Sequence, residues 1–113
     1  MIKLENKNFK IIYTSDIGTT NFNELVSFSK NADLLICESS FILKHNSNSS
    51  THFTAYKAGI LAKESNCKKL VLTHFWPLEN KNEYLDEALT VFDNTIIPTE
   101  GKALILKKKD GTF

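Results

Sequence analysis

The nine residues "KLVLTHFWP", Lys69–Pro77, decide how the rest of the chain is read. The run Leu70–Leu72 has the character of a strand buried on both faces, and it leads directly into His74 and a Trp76–Pro77 corner. A buried strand that ends on a histidine asks what else lies at the same end of the sheet.

Working outward, the same pattern recurs. "FKIIYTSD" (Phe9–Asp16) and "DLLICE" (Asp33–Glu38) are strand-like, rich in β-branched and aliphatic residues. Between them Asn21 or Thr20 caps a helix over Phe22–Lys30. The Asn/Ser cluster around Asn46–Thr51 reads as a loop, and Thr54–Asn66 as a helix with Ala55, Ala58, Leu61 and Ala62 at helical spacing. "NKNEYLDEALTVF" gives a third helix, with Leu85, Ala88, Leu89 and Phe92 as its apolar stripe. "NTIIPTEGKALILKKK" closes the chain as two short strands around Glu100–Gly101, the last one basic and at an edge.

Strands alternating with helices make an α/β layer. In such sheets, sites gather at the carboxyl ends of the strands. The three long strands end on Asp16, Glu38 and His74, and His52 stands at the mouth of the second helix. A histidine fixed at a strand end can hold a metal, and an aspartate at the neighbouring end can share it. The local patterns leave other readings open. Asp16 reads equally as a turn residue, His74 as a hydrogen-bonded histidine beside Trp76, Glu38 as the polar end of a strand, and His52 as a helix-cap neighbour. His45 reads as a surface residue, Cys37 as buried filler and Trp76–Pro77 as a packing corner.

Composition sets bounds. The chain has 113 residues, 42% hydrophobic and 24% charged, with a formal net charge of +1. That size reads as one domain, residues 1–113. The charge gives no bulk reason to expect a nucleic-acid surface. No apolar run approaches the roughly 20 residues of a membrane helix, and "MIKLENKNFK" lacks the apolar centre of a secretory signal. Cys37 and Cys67, in unlike surroundings, do not make a disulfide framework, so a cytoplasmic location is expected.

Taken together, "YTSD-x-G", "ADLLICESSF", "THFTAYKAGILAKES" and "KKLVLTHFWP" resemble, in order and spacing, the carboxyl-terminal half of the metallo-β-lactamase fold in its ribonuclease Z-like branch. The resemblance implies half of an αβ/βα sandwich, with one mixed sheet covered by helices on one face. It implies a metal-dependent hydrolase acting on phosphodiesters such as RNA, with two zinc ions in the complete site. By the family pattern, Asp16 and His74 are metal ligands, His52 assists proton transfer at the scissile phosphate, and Glu38 orients His52. The chain departs from the pattern at Ser15-Asp16-Ile17, Cys37-Glu38-Ser39-Ser40 and His52-Phe53-Thr54, and its three histidines include no HxHxDH motif.

A lone sheet with helices on one side leaves its other apolar face bare, here expected around Ile12, Leu35, Leu72 or their neighbours. The partner expected there is a separate amino-terminal half or a second copy of the chain. The alternative to a hydrolase half is a non-catalytic remnant that dimerises through that face. A receiver-like doubly wound domain is a third reading, which only Asp16 fits.

Overall fold

Three side chains start the three helices. The computed structural model describes residues 2–14, 21–39, 53–73 and 80–98. Asn21 caps α1 (Phe22–Ser29), its side-chain oxygen accepting from the Asn23 N–H at 2.8 Å. Thr54 caps α2 (Ala55–Glu64) through the Lys57 N–H at 3.0 Å, and Asn80 caps α3 (Lys81–Leu89) through the Asn82 N–H at 2.9 Å. Each cap satisfies an amide that has no partner inside its own helix. Beyond α1 and α2 the chain turns through Asn31 and Asn66, whose φ angles of 59° and 58° suit asparagine's tolerance of the left-handed region. These two turns are tied together: the Asn31 N–H donates to the Ser65 carbonyl at 2.7 Å, and the Asn66 amide to Asn31 Oδ1 at 3.1 Å.

The strands are β1 (Ile2–Glu5), β2 (Lys10–Tyr13), β3 (Leu34–Glu38), β4 (Leu70–Thr73) and β5 (Thr95–Ile96). They lie in the order in which they occur, β1-β2-β3-β4-β5. The first pair is antiparallel and the remaining pairs are parallel. Successive parallel strands laid side by side with crossovers of one hand put every helix on the same face. The core agrees: Ile12, Leu35, Cys37, Leu70 and Leu72 from the sheet meet Leu25 of α1, Ala58 and Leu61 of α2, and Tyr84 and Ala88 of α3 in one cluster. The mixed sheet with helices on one face is therefore as the sequence reads.

Three details of that reading are corrected. Ile12, Leu35 and Leu72 do not line the bare face; all are fully buried beneath the helices. Strand residues alternate between faces, so a one-residue error of parity exchanges the two sets. The face away from the helices carries the alternate residues. On it Leu34 and Val71 are buried, but Tyr13, with Ile2 and Leu4 across the β1–β2 ladder, is exposed at 42%, 51% and 62%. The stripe of α3 is also rotated: Tyr84 and Ala88 face the core, whereas Leu89 is exposed at 36%. β1, absent from the sequence reading, pairs with β2 through Ile2↔Tyr13 to Glu5↔Lys10. Of the two closing strands, β5 is described, and the basic one after Gly101 lies outside the described residues.

Helices α2 and α3 pack closely at Gly59. A Cβ there would lie 2.4 Å from Val91 Cγ2 and 3.0 Å from the Ala88 carbonyl oxygen. Gly59→Ala is therefore expected to destabilise the protein by about 1–3 kcal/mol through overpacking, against the roughly 1 kcal/mol that alanine gains in helix propensity. Adding Val91→Ala removes the nearer obstacle, so the double variant should recover part of the loss in urea unfolding. A Gly59→Ala single variant as stable as the parent would show that the helices are not in this contact.

Candidate active-site edge of the sheet

The carboxyl ends of β2, β3 and β4 are held together by hydroxyl groups beyond the regular ladder. Thr14 follows β2; its N–H donates to the Ile36 carbonyl at 3.0 Å, and its Oγ1 accepts the Glu38 N–H at 3.3 Å. Ser39 follows β3 and donates to the Thr73 carbonyl twice, through N–H at 2.8 Å and Oγ at 3.2 Å. Thr73 Oγ1 returns to the Cys37 carbonyl at 3.5 Å, and Glu38 is in register with Thr73. Thr14 and Ser39 are fully buried and Glu38 nearly so. Buried polar groups of this kind are tolerable only when bonded. The hydroxyls therefore fix, at one edge, the points where the chain leaves three strands.

A fourth segment is anchored by an aromatic pair. Phe53, buried just before the Thr54 cap, stacks on Phe22 at the start of α1, with ring centroids 6.5 Å apart and planes 18° apart. The starts of α1 and α2 are thus held next to each other by Phe22, the first residue of α1, and Phe53, just before the α2 cap.

The edge is not a thiol site. Burial pushes the Cys37 thiol well above its ordinary value of 9.0, a rise that its hydrogen bond with Thr14 only partly offsets and the Glu38 charge reinforces. Burial raises the Cys67 thiol as well, against a hydrogen bond with Ser65. Both stay protonated near neutrality, and a thiol without its thiolate is a poor nucleophile or metal ligand.

Of the candidate residues, Glu38 is described and stands at this edge, in β3 on the face away from the helices. Asp16, His52 and His74 lie outside the described residues, as do His45, Trp76 and Pro77. In sequence, Asp16 is two positions beyond Thr14, His74 directly follows Thr73, and His52 directly precedes Phe53. Among the described residues no three His, Cys, Asp or Glu side chains gather as a metal site, so these residues do not by themselves provide one. The hydroxyl residues Thr14, Ser39 and Thr73 were not distinguished by their sequence pattern. Their signal is a Ser or Thr at or just past the end of each apolar run.

The mixed sheet covered on one face matches part of a metallo-β-lactamase fold. The chain matches the crystal structure of the metallo-beta-lactamase fold protein YhfI from Bacillus subtilis with a TM-score of 0.75 and 30% identity, over 84% of this chain and 39% of that one. Its homologues are ribonuclease Z and the YhfI metallo-hydrolase. It is 32% identical to ribonuclease Z of Clostridium perfringens over 109 residues, which are 93% of this chain and 34% of that protein. With ribonuclease Z of Archaeoglobus fulgidus the identity is 40% over 99 residues, 84% of this chain and 32% of the relative. With the probable metallo-hydrolase YhfI it is 30% over 95 residues, 84% and 38%. No family model matches the chain. The chain spans about a third of the length of these relatives. The fold family implies metal ions. Among the described residues no helix is long and apolar enough to cross a membrane.

Proposed function

We propose that the chain supplies one wall of a metal-dependent phosphodiesterase centre of the ribonuclease Z type, acting on RNA. The observation that carries this reading is the convergence of Thr14, Glu38, Ser39 and Thr73, which brings the ends of three parallel strands to one edge just before positions 16 and 74. In this reading Asp16 and His74 are metal ligands, the metal is zinc, His52 handles the proton of the leaving group and Glu38 orients His52. The rest of the centre comes from a partner, either an amino-terminal half or a second copy, seated on the face that exposes Tyr13, Ile2 and Leu4. The compartment is the cytoplasm, in keeping with two free cysteines.

The same exposed residues favour a second reading, a module that dimerises without catalysis. Elemental analysis of the purified chain beside its solution mass separates the two. Stoichiometric zinc that is lost in Asp16→Ala and in His74→Ala is the expected result, and it supports the metal site. A stable dimer without zinc, inactive on a simple phosphodiester, would leave the dimerising module as the function.

A further inference from the structure

The opposite edge of the sheet holds an open pocket of about 320 Å³, at the amino ends of β2 and β3. Lysines from three separate segments line it: Lys7 from the β1–β2 turn, Lys10 from the start of β2 and Lys30 from the end of α1. Two carboxylates share the pocket. Asp33 is already engaged: nearly buried, it accepts the Lys10 N–H at 2.8 Å and pairs with Lys68 at 3.3 Å. Glu5 stands opposite Lys10 in the β1–β2 register. Three lysines and two carboxylates thus line the pocket, and one of those carboxylates is already held by Lys68.

The lysine-bearing segments are also positioned by the fold. Asn6 Oδ1 accepts the N–H groups of Asn8 and Phe9 and so fixes the turn that carries Lys7. The Lys10 ammonium donates to the Lys30 carbonyl, which ties the start of β2 to the end of α1 beside the pocket. Neither Lys7 nor Lys30 has an ion-pair partner among the described residues. With Asp33 held by Lys68, the lining keeps an excess of lysine over carboxylate, which favours an anion in the concavity.

We infer that this pocket is a phosphate seat, distinct from the candidate active-site edge and suited to the phosphate of a polyribonucleotide backbone. The two edges are separated by the length of the strands, about 13–16 Å at 3.3 Å per residue. One single-stranded RNA can therefore reach both. That the phosphate belongs to RNA rests on the function proposed above; the seat itself does not, because none of its residues lies at the carboxyl edge.

The test is a titration of the ¹⁵N-labelled chain with a uridine oligoribonucleotide and, separately, with orthophosphate, following backbone amide shifts. Residues 5–10 and 30–33 are expected to move. Three phosphate contacts give a slope of log Kobs against log salt of about −2, and Lys7→Ala or Lys30→Ala should each reduce it by about 0.7. Both are exposed positions, so the fold should survive. Lys57→Ala, an exposed lysine at the start of α2, should leave the slope unchanged. Shifts with the oligoribonucleotide alone identify a backbone seat, and shifts with orthophosphate too identify a seat for any phosphate group. No movement with either probe, or an equal loss in Lys57→Ala, overturns the inference.

Discussion

Tyr84→Ala is expected to cost about 3–5 kcal/mol of stability, the range for deleting a large, fully buried side chain. Tyr84 has no exposed surface and is the largest such residue among those described. It reaches from α3 into the cluster shared by α2 and the sheet, where neighbours can collapse only partly into the space it leaves. Urea unfolding should show a lower midpoint with an unchanged slope. The contrast is Leu89→Ala: that leucine is exposed at 36%, and its loss should cost about 1 kcal/mol or less. If Leu89→Ala proved the more damaging of the two, α3 would be turned the other way.

The second large effect is alkaline. Burial raises the Cys37 thiol far above its ordinary 9.0, and Cys67 shifts in the same direction. The folded state then holds these protons more tightly than the unfolded chain. Their contribution is complete below the unfolded value and is lost as pH climbs above it toward the folded one. The Cys37 thiol should remove up to about 1.4 kcal/mol per pH unit above about pH 9, and Cys67 acts in the same direction. Cys37→Ala should flatten the fall in urea midpoint by one thiol's share. Equal slopes with and without Cys37 would mean that the thiol is not sealed in the core. Thiol reagents, for the same reason, should label Cys37 only at the rate at which the chain opens.

Much of the layer was legible in the sequence because β3 and β4 are apolar runs and each helix opens on Asn or Thr. β1 was not legible. Ile-Lys-Leu-Glu alternates, but all four residues are exposed, so no burial pattern marks the strand against its polar surroundings. The α3 face was misjudged because Tyr84 carries a polar atom and Leu89 does not, while Ala88, which meets Gly59 of α2, shares one helical face with Tyr84 a turn earlier. The parity of the sheet faces was equally hidden. A strand whose neighbouring residues, such as Leu34 and Leu35, are both buried gives no alternation to read. At the candidate edge, Glu38 was legible as the end of an apolar run. The hydroxyl bonds of Thr14, Ser39 and Thr73 join residues from different strands, and only the register reveals them.

The simple strand order has a kinetic consequence. Each parallel strand docks beside the one synthesised before it: Leu34 on Ile11, Leu70 on Leu35, Thr95 on Leu70. Those closures span 23, 35 and 25 positions by subtraction of the paired residue numbers. The longest costs only about 0.4 kcal/mol more in loop entropy than the shortest. No step stands out as a barrier, so the sheet can grow from the antiparallel hairpin outward as the chain emerges. The edge bearing Thr14, Glu38 and Thr73 is complete only when β4 arrives, which makes β4 docking the step at which a nascent chain acquires whatever this edge can bind.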